Sequence, residues 1–169
     1  MYGCTDKMQK VYTKNGDSGY TIDFSGKKIA KDHPIIVIGG KIDALQSSID
    51  GAMMYSNRKR KAVLEHIQRK LWQTSAEIAH CDRLCLIDPI KEKDVKQLEK
   101  EIDALGEAPK HFIRFQSWEA IIYNECRIRA RELETQLVLQ LRKRKLRPVV
   151  YQYINRLSSL FFMYAYKSR

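Results

Sequence analysis

Ile42-Asp-Ala-Leu45-Gln-Ser-Ser-Ile49-Asp-Gly-Ala-Met53 decides the fold class, because its apolar residues return every three or four positions and would line one face of a helix. The same period resumes at Val63, Ile67, Leu71 and Ile78. Breaks fall near Ser56-Asn57, at Asp88-Pro89 and from Gly106 to Pro109, while Pro148 suits the first turn of a closing helix. These marks predict five helices over about 41–55, 59–81, 91–105, 117–145 and 148–166. Joined by short connections, they imply an all-α, up-down bundle. Val11 to Gly40 holds most of the glycines and no helical period, and reads as an ordered loop with a short extended piece.

The chain has 169 residues, 44% of them hydrophobic, enough for one domain over 1–169, with a loop segment 1–40 and a helical bundle 41–169. No apolar run approaches the roughly 18 residues of a spanning helix, and Met1 to Lys14 is polar. A soluble, cytoplasmic protein with no membrane partner is expected. Cys4, Cys81, Cys85 and Cys126 lack a paired spacing and read as reduced thiols. The net charge of +11 favours anionic partners. Arg58-Lys-Arg-Lys61 and Arg142-Lys-Arg-Lys-Leu-Arg147 could form a phosphate-binding strip or sit solvated at helix ends. Without interleaved aromatics for base stacking, nucleic acid is not the expected partner.

Two segments carry chemistry. In Arg127-Ile-Arg-Ala-Arg131-Glu-Leu-Glu134, spacings of four and three align Arg127, Arg131 and Glu134 on one helical face. Two guanidiniums with a carboxylate one turn away suit a polyanion such as a triphosphate, the Glu fixing an arginine or turning toward a metal ion. A solvated salt-bridge face is the competing reading. Tyr153-Ile-Asn155-Arg156-Leu-Ser158 places further polar groups in the closing helix.

Near the N-terminus, Tyr12-Thr13-Lys14-Asn15-Gly16-Asp17-Ser18-Gly19-Tyr20-Thr21 offers two glycines for close backbone approach to phosphate, with Thr and Lys donors beside them. Gly19 to Lys28 does not have the spacing of a Walker loop. Glu77-Ile-Ala-His80 lacks the second such pair of a di-iron bundle, and His80, Cys81 and Cys85 fall short of four zinc ligands. No metal-ligand set is assigned.

In order along the chain, the Tyr12 to Thr21 loop, Ile42-Asp43, Phe112, Arg127-x3-Arg131-x2-Glu134 and Tyr153 to Ser158 resemble the motifs of ATP:cob(I)alamin adenosyltransferases of the propanediol-utilisation type. The resemblance implies a ferritin-like five-helix bundle with a nucleotide-binding loop, assembled as a homotrimer with active sites between subunits. ATP with Mg2+ would lie against Thr13, Lys14, Asn15, Gly16, Thr21, Ile22, Lys31, Arg131, Glu134 and Asn155. Asp43 and Arg127 would pair across the interface beside the corrin, and Phe112 would exclude the lower axial ligand of cobalamin. Read from the residues alone, Phe112 is an ordinary core aromatic.

The implied reaction transfers the 5′-deoxyadenosyl group of ATP to cob(I)alamin and releases triphosphate, with Arg131 and Phe112 as the catalytic residues and a reductase supplying the electron. The chain departs from the family pattern at several positions. Asn15 stands for a Thr, Ala44 and Gln46 for Glu and Asn, and Glu132 and Thr135 for arginines, while Phe112-Ile-Arg-Phe-Gln-Ser lacks a Pro-Gly-Gly. These departures keep a second reading open: a nucleotide- or corrinoid-binding regulator on the same scaffold with weakened catalysis.

Overall fold

A computed structural model describes residues 12–23, 26–79, 81, 85–143 and 145–169. A two-stranded antiparallel hairpin, β1 (Tyr20–Ile22) and β2 (Lys28–Ala30), precedes five helices. These are α1 (Pro34–Tyr55), α2 (Arg58–Ile78), α3 (Glu92–Asp103), α4 (Trp118–Arg142) and α5 (Pro148–Lys167). The expected helix count and class hold.

One boundary is corrected. Residues 34–40, read from sequence as loop, form the first two turns of α1. Pro34 occupies the first turn, where its missing N–H costs nothing, and His33 Nδ1 caps the helix by accepting from the Ile35 N–H at 3.3 Å. Gly39 and Gly40 therefore sit inside a helix whose packing outweighs their weak propensity.

The alternation of direction follows from cross-helix pairs. Lys41 meets Glu132 and Ser56 meets Tyr123, so α1 and α4 are antiparallel; Tyr123 packs beside Tyr164 while Glu134 bonds Asn155, so α4 and α5 are too. Ile38, Ile42, Leu45 and Ile49 of α1 fill the core with Tyr123, Cys126, Ala130, Leu133 and Leu137 of α4 and Ile154, Leu157 and Phe161 of α5. Burial of these stripes is the main driving force for docking. The hairpin stands at the end of the bundle where α1 begins; the opposite end gathers Ser56, Arg60, Ser117 and Ser168.

Part of the basic charge is structural. Arg60 bonds Glu119 at 2.7 Å and lies over the Tyr123 and Tyr164 rings, and Arg147 grips both oxygens of Glu77 while donating to the Ile90 carbonyl. The two basic runs therefore supply staples as well as surface charge.

The thiol expectation is corrected as well. Cys81 and Cys85 form a disulfide just beyond α2, their Cα atoms 5.8 Å apart, a separation that the bond accommodates. Those two sulfurs are thereby removed from any zinc set; His80 lies outside the described residues, as does Cys4. Cys126 is a free, buried thiol whose pKa burial pushes up to about 12.

Lys70, only 1% exposed, ties α2 to the start of α3 through Asp88 at 2.6 Å and Asp94 at 3.3 Å. Asp94 also accepts from the Lys91 N–H at the α3 N-terminus. Lys70→Ala leaves Asp94 buried without its counter-ion and should cost about 3–5 kcal/mol in urea unfolding. A loss below about 1 kcal/mol would mean the cluster is held otherwise.

Candidate functional site

The 3.6-residue period of α4 turns Tyr123, Cys126, Ala130, Leu133 and Leu137 inward and leaves Arg127, Arg131 and Glu134 on a more open face. Arg127 is half-buried, its Nε donating to Asn124 Oδ1 at 2.9 Å. Burial, and then the neighbouring Arg131, hold its pKa below the ordinary arginine value. Arg131 is exposed. Among the described residues neither guanidinium has a carboxylate within ion-pair distance.

Glu134 does not take the expected arginine. Its Oε1 accepts instead from Asn155 Nδ2 at 2.7 Å and from the Tyr151 hydroxyl at 3.1 Å. Tyr151 was missed in the sequence, although it lies one turn before Asn155 and thus on the same face of α5. Burial and then Glu134 raise its phenol pKa. Glu132, which stands for an arginine, is held by Lys41 at 2.9 Å and Arg129 at 3.2 Å.

Three cavities receive Phe112, Arg127, Arg131 and the loop residues, whereas Glu134, Asn155 and Asp43 line none of the three. Arg127 and Arg131 line one of about 380 Å³ with Ser158, Ser159 and Phe162. Arg127 and Phe162 also line an adjoining one of about 660 Å³ with Phe112, His111 and Asn124. Phe112 is 91% exposed there, which corrects its reading as a core aromatic: no helix covers the segment between α3 and α4 at that point.

The third cavity, about 640 Å³, lies in the N-terminal loop and brings together Thr13, Lys14, Asn15, Gly16, Thr21, Ile22 and Lys31. Its turns are closed by Asp17 N–H to the Lys14 carbonyl and Gly19 N–H to the Gly16 carbonyl, with Gly19 at φ 80°. A Cβ on Gly16 would meet Lys31 Nζ at 2.5 Å, so the end of this lysine lies directly over the glycine. Asp17 and Lys28 also line the cavity and were not assigned from sequence.

One chain does not join these parts. The loop cavity shares no lining residue with the two at α4, and no ion pair links Asp43 to Arg127; Asp43 lines a further groove with Gly39 and Ile78 that shares Ile22 with the loop cavity. Arg131 stands thirteen residues into α4, roughly 20 Å from the start of that helix at 1.5 Å per residue. Among the described residues, no three His, Cys, Asp or Glu side chains cluster as metal ligands, and no helix is long and apolar enough to cross a membrane.

The sequence profile of the cobalamin adenosyltransferase family matches residues 11–168. The chain belongs to that family. The corrinoid adenosyltransferase PduO of Citrobacter freundii is 30% identical over 162 residues, covering 92% of this chain but 48% of that protein. The chain thus spans about half the length of the PduO relatives it matches. A second corrinoid adenosyltransferase of Citrobacter freundii is 31% identical over 166 residues, with 94% of each covered.

Among solved structures, a phenylalanine-to-alanine variant of the PduO-type ATP:corrinoid adenosyltransferase from Lactobacillus reuteri, complexed with cobalamin and ATP, superposes with a TM-score of 0.80. It is 28% identical and covers 92% of this chain and 91% of its own. An arginine-to-lysine variant of that adenosyltransferase, complexed with ATP, matches at 0.78 and 29% identity, with 94% of each chain covered.

The exposure of Phe112 makes a stability prediction for this family member. Phe112→Ala removes no core contact and should change the unfolding free energy by less than about 0.5 kcal/mol. A loss of about 3 kcal/mol or more, the cost of a core cavity, would contradict the site described here.

Proposed function

We propose that the chain transfers the 5′-deoxyadenosyl group of ATP to cob(I)alamin, forming adenosylcobalamin and releasing triphosphate. The observation that carries this reading is the pair Arg127 and Arg131, two adjacent cations without carboxylate partners among the described residues, at the junction of two cavities. Unneutralised, they favour a polyanion there. Family membership and relatives complexed with ATP and cobalamin support the choice of polyanion and of corrinoid.

In the proposed reaction cobalt's electron pair forms the bond to the 5′-carbon of ATP as the carbon–oxygen bond breaks, and that bond's pair departs with the triphosphate. Arg131 would stabilise the departing charge, and Arg127 would act at the corrin side. Asn155, Glu134 and Tyr151 form a pre-arranged polar group beside them, so positioning precedes chemistry. The loop residues Thr13 to Gly16, Thr21, Ile22 and Lys31 would hold the nucleotide, with Lys14 and Lys31 matching its phosphates. Exposed Phe112 is free to lie against the lower face of the corrin, where an apolar ring displaces an axial ligand.

Magnesium fits this arrangement in a limited role. Glu134 Oε2 lies outside the bonds to Tyr151 and Asn155, so Glu134 and the phosphates of ATP itself would hold the ion, as is usual for Mg2+. The ion would neutralise phosphate charge.

Because the loop cavity and the α4 cavities lie apart within one chain, the complete site is proposed to form between copies, as a homotrimer with Asp43 of one meeting Arg127 of the next. The reading also places the enzyme in the cytoplasm with an electron-donating reductase. The Cys81–Cys85 bond, with Cys85 exposed, would there face a reducing poise.

An anaerobic assay with reduced cobalamin, ATP and magnesium tests the activity: adenosylcobalamin should form, whereas binding of both substrates without turnover would establish the regulator instead. Arg131→Ala should weaken ATP binding by about one to two decades, the worth of a charge-assisted contact. Unchanged affinity would remove Arg131 from the site. Sedimentation at low micromolar concentration should give a trimer, and a monomer in the presence of both ligands would refute the composite site.

A further inference from the structure

Asn155 is held from both sides of its amide. Nδ2 donates to Glu134 Oε1 at 2.7 Å, and Oδ1 accepts from Arg156 at 3.0 Å. The Nε of Arg156 in turn donates to Glu99 Oε1 at 2.9 Å, on α3. A guanidinium only donates and an ionised carboxylate only accepts, so these neighbours permit one orientation of the amide. The flipped amide would set carbonyl oxygen against carboxylate and NH2 against guanidinium. Along the path from α3 through α5 to α4, charge alternates: Glu99 negative, Arg156 positive, the Asn155 dipole, Glu134 negative.

We propose that Glu99 is a positioning residue for the nucleotide site: by holding Arg156 against Asn155 Oδ1 it fixes the Asn155 amide, and through it the Glu134 carboxylate, before ATP arrives. This rests on the adenosyltransferase reading. Nothing in the motif resemblance or the cavity linings includes α3 position 99, so the assignment comes from the hydrogen-bond path alone. Glu99 and Arg156 remain 42% and 39% exposed, and a pair so open adds little to stability. Its consequence is orientation. Without Glu99, Arg156 regains its rotamer freedom and the amide loses one of the two contacts that hold its orientation, keeping only the bond to Glu134.

Glu99→Gln in the full chain is the test. The KM for ATP should rise about three- to tenfold, the equivalent of one weakened hydrogen bond, while the urea midpoint stays put and Glu99→Asp recovers most of the loss. An unchanged or lowered KM overturns the proposal, since an Arg156 that touched ATP directly would be released by the change. The double exchange Glu99→Arg with Arg156→Glu rebuilds the α3–α5 ion pair but sets a carboxylate beside Oδ1. ATP affinity should remain low in it; restored affinity would mean the pair merely joins two helices.

A readout independent of turnover separates this proposal from the reading beneath it. The Asn155 side-chain amide protons, followed by NMR, should exchange slowly in the unmutated protein and faster in Glu99→Gln. An amide that does not respond overturns the positioning role even in an active enzyme. A responding amide in a protein that never adenosylates cobalamin supports that role and counts against the adenosyltransferase reading alone.

Discussion

Helix α4 must be buried along one side and charged along another, and the rest of the architecture serves that requirement. Its inward residues Tyr123, Cys126, Ala130, Leu133 and Leu137 are fully buried between α1 and α5. With that face committed, the helical period leaves no freedom in where Arg127, Arg131 and Glu134 project. A bundle of this kind gives a polar site on a rigid element, which holds its side chains more tightly than a loop can. The loop that carries Lys14 and Lys31 is braced differently, by a short hairpin and turns closed through backbone bonds.

Electrostatics sorts the cations of this basic chain into two groups. Arg60, Arg129, Arg147, Arg156 and Lys70 each meet a carboxylate, and most of those pairs join different helices. They act as staples between elements. Arg127 and Arg131 have no such partner among the described residues, and burial together with the neighbouring Arg131 holds the pKa of Arg127 down. Two neighbouring cations left in that state suit the anion-binding role proposed for them, which a salt-bridged pair would not. Glu132 shows the same sorting from the acidic side: it stands where the family pattern has an arginine, and is taken up by Lys41 and Arg129 away from the Arg127–Arg131 pair.

The buried ionic cluster at Lys70 serves a different end. Asp94 caps α3 while pairing with Lys70, so the short third helix is anchored at its start by α2 and near its middle by the Glu99–Arg156 pair. That placement brings α3 alongside α5, and so puts a carboxylate within reach of the residue that orients Asn155. A change of sequence on α3 can therefore reach the α4–α5 polar group without touching it.

The five helices were legible in the sequence because apolar period, proline at first turns and glycine or proline breaks are local signals, written within a few residues of where they act. So were the loop residues Thr13 to Gly16 and the alignment of Arg127 with Arg131, since helical spacing alone fixes it. The early start of α1 was not, because Gly39 and Gly40 speak against a helix locally and only tertiary packing overrules them. The partner of Glu134, the exposure of Phe112 and the burial of Lys70 depend on which segments meet across the fold. Such meetings are set by the summed packing of whole faces, which no single stretch of sequence specifies, and so only the tertiary structure decided them.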